Sequence, residues 1–298
     1  MLRNELKPRA ENRKHVLRNE TAEFILERMT GQIRGMRWLD RDVDLFQQTR
    51  GGIPGYIGHI RVYDEHDRQW FSDIEHSCVT RDPHADDRSL TVTKLFDDAQ
   101  FVLTVRYEIM PEGLRWKVDA EKTSPEAADR SLRVYFDMPL IAGWDVWAPC
   151  NRGEFTFDGM TPFEFMYTQI PYVSDSEIIL PMVSHYHRTL GVGYSMLEPV
   201  DANVPAAKFG FANMEKCYNW GGMDKDLRDV PVLEACNYYI GLVGDRTMST
   251  EIMIFPHGGD WRPGVGLVYE RWREFFDPFN DAIYDRDEIG RASCRERV

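Results

Sequence analysis

The residues best suited to chemistry lie in one short loop, GWDVWAPCNRGEF, at positions 143–155. It combines flat aromatic rings with side chains that can hydrogen-bond, namely Trp144, Asp145, Trp147, Asn151 and Arg152. Indole faces can stack on the C–H faces of sugar rings, while the polar groups can bind hydroxyl groups. The loop therefore predicts contact with a carbohydrate or with a neighbouring domain. The alternative is that its tryptophans only fill the end of the fold.

A second loop, CYNWGGMDKD at positions 217–226, repeats this chemistry around Trp220. Two glycines follow the tryptophan and indicate an exposed turn. We predict that Trp220 contacts the same ligand or the same partner domain, the alternative being an ordinary surface loop.

Two histidines, His185 and His187, occur in the strand-like segment SHYHR. The period of two in a strand places them on one face. They could bind a metal or act as acid and base, but no third ligand has a fixed spacing, so ordinary sheet-face histidines and no metal site are the main prediction. A sugar 1-epimerase would need a histidine acid and a glutamate base, for which Glu234 or Glu251 is available.

Composition limits the possible functions. The 298 residues have 43% hydrophobic and 29% charged members, which is ordinary for a globular protein, and the formal net charge of -13 argues against nucleic-acid and anionic-membrane partners. The five cysteines are scattered, which argues against a disulfide framework and a zinc site and favours a reducing, cytoplasmic location. The Gly-rich segment 50–59 lacks phosphate-loop spacing, and no cofactor is predicted. The charged first 20 residues do not read as a signal peptide.

Alternation of apolar and polar residues dominates the first 260 positions. In Phe101–Glu121, two alternating runs flank the turn Met110–Gly113, which predicts a β-hairpin with one buried face. Further strand-like runs include His15–Arg28 and Gln69–Val79. Many short strands separated by Gly, Pro, Asn and Asp predict an all-β sandwich or barrel.

The pattern changes near position 263, where Val268, Trp272, Phe275 and Phe276 form one apolar stripe of a helix. Such a helix either packs back on the sheets or presents its apolar face to a second domain. We favour the second alternative, because little chain follows that could cover a tryptophan and two phenylalanines.

The last ten residues, IGRASCRERV, back-translate in one reading frame to the start of a widely used sequencing adapter. We therefore expect residues 289–298 to be translated adapter, which removes Cys294 from consideration. On this interpretation the natural chain continues beyond about Asp287.

Three segments carry a resemblance to a known family. They are VLRNETAEFILERMTGQIRGMRWLDRDVDLF, LPMVSHYHRTLGVGYSMLEP and VYERWREFFDPFN. The first two resemble strands of galactose-mutarotase-like domains, and the third resembles the helix that leads from such a domain into the catalytic domain of large bacterial glycosidases. The resemblance implies an all-β fold, a two-sheet antiparallel β-supersandwich over residues 1–262, then a linker helix at 263–280 and a stub at 281–288.

The resemblance also implies a function. The chain would be the N-terminal, carbohydrate-contacting and scaffolding domain of a glycoside hydrolase, with carbohydrate and a missing C-terminal catalytic domain as partners. The two catalytic carboxylates would then lie outside it. The alternatives are a stand-alone sugar 1-epimerase and a non-catalytic carbohydrate-binding β module.

Overall fold

The structure is a computed structural model, which describes residues 13–49, 57–73, 78–148, 154–157, 182–198, 207–213, 231–245, 247–271 and 273. At some strand positions, Glu234 among them, only the backbone is described. Asn151, Arg152, Trp220 and the whole segment 281–298 lie outside the described residues.

The described residues form strands of two to 12 residues and two helices. The first nine strands are β1 (Lys14–Arg18), β2 (Ala22–Glu27), β3 (Ile33–Trp38), β4 (Val43–Asp44), β5 (His59–Asp64), β6 (Gln69–Ser72), β7 (Cys78–Ala85), β8 (Ser89–Phe96) and β9 (Phe101–Ile109). The other strands are β10 (Leu114–Lys122), β11 (Arg130–Pro139), β12 (Asp145–Trp147), β13 (Glu154–Thr156), β14 (Met182–His187), β15 (Val192–Leu197), β16 (Ala207–Asn213), β17 (Pro231–Leu242) and β18 (Met248–Gly258). The helices are α1 (Leu45–Gln48) and α2 (Arg262–Arg271).

The strands form antiparallel sheets that enclose one core. A nine-stranded sheet has the order β13-β12-β14-β15-β18-β10-β9-β8-β7, and a five-stranded sheet has the order β16-β17-β11-β5-β6. A four-stranded sheet, β1 to β4, is joined to the start of β5 by a bridge between Ile33 and Gly58. All three sheets contribute buried side chains to the same cluster. The predicted all-β antiparallel sandwich is confirmed, with the smaller layer divided into two sheets.

The hairpin β9–β10 follows the predicted alternation. Its inward side chains are buried, while those between them face the other side of the sheet. Met110 N–H donates to the Gly113 carbonyl at 2.8 Å and closes the turn between the strands. Trp38 ties the layers together, since its Nε1 donates to the Gly193 carbonyl of β15 at 3.0 Å.

The predicted run His15–Arg28 is two strands, because Asn19 makes a turn within it. Its Oδ1 accepts from the N–H groups of Thr21 and Ala22 at 2.9 and 2.8 Å. Asparagine side chains close turns of this kind by replacing a backbone acceptor. The buried positions change phase across the turn, from Leu17 in β1 to Ala22 and Phe24 in β2, and an unbroken period of two over His15–Arg28 does not describe this change.

One ion pair lies inside the core. Lys94 of β8 lies between the inward residues Val92 and Phe96, and it pairs with Asp73 at 2.5 Å, both side chains being fully buried. Asp73 is also fixed by the Ile60 N–H, which donates to its Oδ1 at 2.9 Å. Each charge therefore has a partner in surroundings where an unpaired charge would be costly.

A second buried ion pair crosses from β5 to β11. Arg61 and Asp137 make two hydrogen bonds, one of 2.7 Å, and His59 Nε2 lies 3.0 Å from the same carboxylate. All three are buried, although Asp137 alternates with the core residues Phe136 and Met138 and so lies on the opposite side of its sheet. Burial opposes ionisation of Asp137, but Arg61 and His59 outweigh it and lower the pKa of this carboxyl group.

Helix α2 packs back on the nine-stranded sheet. A Cβ atom at Gly264 would lie 2.3 Å from Ser195 Oγ, so only glycine permits this approach, and Val268 is buried against the sheet. Arg271 bonds Glu112 of the β9–β10 turn at 2.7 Å. The remainder of the predicted stripe, Trp272, Phe275 and Phe276, lies outside the described residues. Neither α1 nor α2 has the length and apolar composition of a membrane span.

Candidate functional site

The nine-stranded sheet has an outer face, defined as the side that does not contribute to the shared core. Because residues directly opposite one another in antiparallel strands point to the same side, the register assigns this face. At the β13 end it carries Asp145, Trp147, Glu154, Thr156, Met182, Ser184, Tyr186, Ser195, Leu197, Met253, Phe255 and His257. The face therefore presents aromatic and hydrogen-bonding groups side by side.

A polar cluster joins β12, β13 and β14 on this face. Arg188 donates to Asp145 Oδ2 at 3.0 Å and to Glu154, which also accepts a hydrogen bond from the Tyr186 hydroxyl. Thr156 donates to Asp145 Oδ1 at 2.5 Å. Burial and the neighbouring Glu154 raise the pKa of Tyr186, which keeps its hydroxyl protonated as a donor. The cluster presents two carboxylates held in fixed positions.

An aromatic stack adjoins the polar cluster. The rings of Trp147 and Trp261 are parallel within 11° with centroids 4.7 Å apart, and the Arg262 guanidinium lies 5.2 Å from the Trp261 ring centroid. Trp147 rests on the apolar cluster under α2, so Trp261 forms the outward part of the stack. Both indoles are partly exposed.

Trp144 faces the core instead. It is 1% exposed, and its ring centroid lies 6.1 Å from that of Trp38 and 5.2 Å from that of His185. Trp144 thus has no free face for a ligand, and the alternative prediction for it, filling the end of the sandwich, describes its position.

His185 is fixed by backbone groups on both sides of its ring. Nε2 accepts from the Ile141 N–H at 3.0 Å, so Nδ1 carries the proton and donates to the Asp145 carbonyl at 2.9 Å. The side chain is fully buried, and burial lowers its pKa to about 3. His187 lies on the same side of β14, since the centroid of its ring is 5.8 Å from that of Trp144. In the described state His185 has no nitrogen left for a substrate.

Of the two candidate glutamates, the structure describes the side chain of Glu251 only. Glu251 lies on the outer face of β18, where Arg115 donates two hydrogen bonds of 2.7 Å to its carboxylate. His185, in contrast, points inward from β14. Glu234 occupies a position opposite Asp137, between the core residues Leu233 and Ala235 of the other layer. The structure therefore keeps Glu251 apart from His185 and His187, while the Glu234 side chain lies outside the described residues.

Another histidine, His257, lies under helix α2. Its Nε2 is 3.0 Å from Ser195 Oγ, which is 2.6 Å from Ser184 Oγ, and all three residues are buried. Burial lowers the pKa of His257 to about 4. Gly264 of α2 packs directly over Ser195, so the helix covers this chain of hydrogen bonds.

Four residues of the outer face were not predicted from the sequence: Glu154, Tyr186, Arg188 and Trp261. The first three become neighbours only through the register of β12, β13 and β14. Trp261 carries a usable signal, since it immediately precedes the helical segment. Within the described ranges, no three metal-ligating side chains converge.

Comparisons with known proteins address the fold. No family model matches the sequence, and no curated protein matches it. A galactose mutarotase related enzyme from Lactobacillus acidophilus has a TM-score of 0.51 at 8% identity, covering 82% of this chain and 97% of its own. An α-N-acetylgalactosaminidase from Bifidobacterium bifidum, solved as a GalNAc complex, has a TM-score of 0.52 at 11% identity, covering 88% of this chain and 38% of its own. A galactose mutarotase-like protein from Lactobacillus casei has a TM-score of 0.48 at 8% identity, covering 82% and 100%.

The two solved structures with TM-scores above 0.5 share the fold of this chain. The predicted fold is thereby confirmed. The chain has the galactose mutarotase-like β-supersandwich fold.

Proposed function

We propose that this chain is a carbohydrate-contacting β-supersandwich domain that binds a sugar on the outer face of its nine-stranded sheet. The observation that carries the proposal is the stack of Trp147 and Trp261 beside the fixed carboxylates of Asp145 and Glu154. Aromatic platforms next to a few oriented polar groups are typical of sites for polar, uncharged ligands. The neighbours in fold include proteins whose names refer to galactose mutarotase and to a glycosidase, which supports the same class of ligand.

The geometry suggests how such a sugar would bind. The apolar face of the sugar ring would stack on the exposed side of the Trp261 indole. The Arg262 side chain would move away from the indole when the sugar binds. Asp145 and Glu154 would accept hydrogen bonds from hydroxyl groups, and Arg188 would donate to ring or hydroxyl oxygens. Arg188 donates hydrogen bonds to the carboxylates of both Asp145 and Glu154. The two carboxylates are therefore better suited to accepting hydrogen bonds from hydroxyl groups than to transferring protons.

We further propose that the domain scaffolds a glycoside hydrolase in the cytoplasm, as its N-terminal part, with the catalytic domain as its partner. This is supported by the likeness to the Bifidobacterium enzyme, of which the chain spans 38%. A non-catalytic binding module would use the same outer face.

Replacing Trp261 by alanine should weaken glycan binding at least tenfold, because it removes the outward face of the stack. Wild type is screened on an array of galactosides, glucosides and N-acetylgalactosaminides, and affinity for the strongest binder is measured by calorimetry. Trp147→Ala should act similarly if it stays folded by circular dichroism. Phe46→Ala, which removes an exposed ring on α1, is the control that should leave binding unchanged. Equal affinity of folded Trp261→Ala and wild type, or no glycan bound by wild type, would contradict the proposed site.

A stand-alone sugar 1-epimerase is the alternative, and polarimetry tests it directly. We expect no acceleration of the mutarotation of fresh α-D-glucose or α-D-galactose, since both nitrogens of His185 are engaged and Glu251 is paired on the other side of the sheet. Heat-denatured protein gives the baseline rate. An acceleration that is lost in Glu251→Gln would favour the epimerase.

A further inference from the structure

The carboxylates of the proposed sugar site outnumber its cations. Asp145 and Glu154 share the guanidinium of Arg188, which donates to Asp145 Oδ2 at 3.0 Å and to Glu154 Oε1. The other hydrogen-bond donors of the cluster are the hydroxyl groups of Thr156 and Tyr186, which carry no positive charge. Among the residues that the structure describes, this cluster therefore keeps one unbalanced negative charge.

The unbalanced charge is accessible at one atom, Glu154 Oε2. Both hydrogen bonds to the Glu154 side chain, from Tyr186 and Arg188, end at Oε1. No described residue donates to Oε2, and about a third of the side chain is exposed. Asp145 differs, because each of its carboxylate oxygens already accepts a hydrogen bond and its side chain is only 16% exposed. Glu154 Oε2 is therefore the carboxylate oxygen that is open to a ligand.

The aromatic stack adjoins Glu154. Glu154 is directly opposite Trp147 in the pairing of β12 with β13, so both side chains point to the outer face, and Trp147 stacks on Trp261. The Arg262 guanidinium, 5.2 Å from the Trp261 ring centroid and paired with Asp260, shows that this indole can hold a cation. Surplus carboxylates are common in a chain of net charge -13, but this one lies beside an aromatic platform.

We propose that the sugar bound on the outer face carries a protonated amino group, as a hexosamine does. The inference rests on the proposed function and names its ligand class. The stack and the hydroxyl acceptors alone would suit a neutral sugar, whereas the charge balance favours a sugar with an ammonium group. The ammonium group donates a charge-assisted hydrogen bond to Glu154 Oε2, while Arg188 stays on Oε1, and the cluster becomes neutral. An N-acetylated sugar lacks this charge.

Ligand-observed NMR titration tests the charge of the ligand. D-glucosamine and D-galactosamine are compared with glucose, galactose and the two N-acetyl derivatives, at a slightly acidic pH at which the amines are protonated. We expect one hexosamine to bind about fivefold more tightly than its parent sugar and its N-acetyl derivative. Glu154→Gln should remove this preference, because it keeps the shape of the side chain and removes the charge. Glu121→Gln, at an exposed position of β10, removes the same charge elsewhere and should keep the preference.

Failure of this inference is distinguishable from failure of the proposed function. If a parent sugar binds as tightly as its hexosamine, and Trp261→Ala weakens that binding, the proposed function is supported and the amino group is overturned. A preference that persists in Glu154→Gln, folded by circular dichroism, would also overturn it. So would equally tight binding of ethanolamine, an amine without a sugar ring. Binding of no sugar by the wild type would overturn both proposals, and this comparison requires no variant.

Discussion

Asp137→Ala should destabilise the protein by about 3–5 kcal/mol, because it leaves the Arg61 guanidinium buried without its carboxylate. Arg61 is enclosed by Tyr135 and Trp70, whose ring centroids lie 4.8 and 5.8 Å from it, and water cannot readily replace the lost partner. Urea unfolding at pH 7, followed by circular dichroism and tryptophan fluorescence, measures the loss.

Two further variants isolate the buried charge as the cause. Asp42→Asn neutralises the carboxylate of an exposed pair with Arg37, keeps a side chain that tolerates the positive φ of this residue, and should not change stability measurably. Removing both charges, with Arg61→Met and Asp137→Leu together, should recover most of the loss, since an apolar pair of similar size can replace a buried ion pair. A double variant as unstable as Asp137→Ala would show that the loss comes from packing.

Stability should fall as the pH is lowered from about 6.5 to 4, because two histidines are buried in their neutral form. Burial lowers the pKa of His185 to about 3 and that of His257 to about 4, against 6.5 in the unfolded chain. In this pH window the unfolded chain binds protons that the folded chain does not bind. Proton binding lowers the free energy of the unfolded state relative to the native state, so the protein becomes less stable. Each histidine contributes roughly 1.4 kcal/mol per pH unit.

Urea unfolding at intervals between pH 7.5 and 4 measures this slope. Asp137 contributes little to this slope above about pH 5, since a carboxyl group whose pKa is lowered from 3.8 begins to lose its stabilising effect only as the pH approaches that value. His257→Asn and His185→Gln should each reduce the slope, while His66→Gln, at an exposed position, should not. Proton uptake on unfolding of the wild type is also titrated, a measurement that does not require either variant to fold. Uptake of no protons at pH 5 would refute the account.

The sequence was most informative where one face of a strand is buried. The runs Phe101–Ile109 and Leu114–Lys122 form a hairpin as predicted, since their apolar alternation and Pro-Gly turn agree. It was least informative at side-chain-made turns such as Asn19, and in the run Gln69–Val79, which contains β6 and the first residues of β7. Periodicity records the direction of side chains and not the ends of strands.

The candidate site was predicted in part, for a related reason. Alternation in β12 separates Trp144 and Val146, which point inward, from Asp145 and Trp147, which point outward, but it does not say which side is the core. The partners of Asp145 come from strands about ten and forty residues away, so only register brings them together. Asn151, Arg152 and Trp220 stay predictions.

The ion pair of Lys94 and Asp73 has a consequence for how the sheet finds its alignment. If β8 slipped by one residue against β9, Lys94 would turn outward and Leu95 would take its place, which would leave the Asp73 carboxylate buried without a cation. Such a misaligned state would carry a penalty far larger than that of an ordinary apolar mismatch. The buried Lys94–Asp73 ion pair therefore favours one register of β8 against β9 over the register that is displaced by one residue.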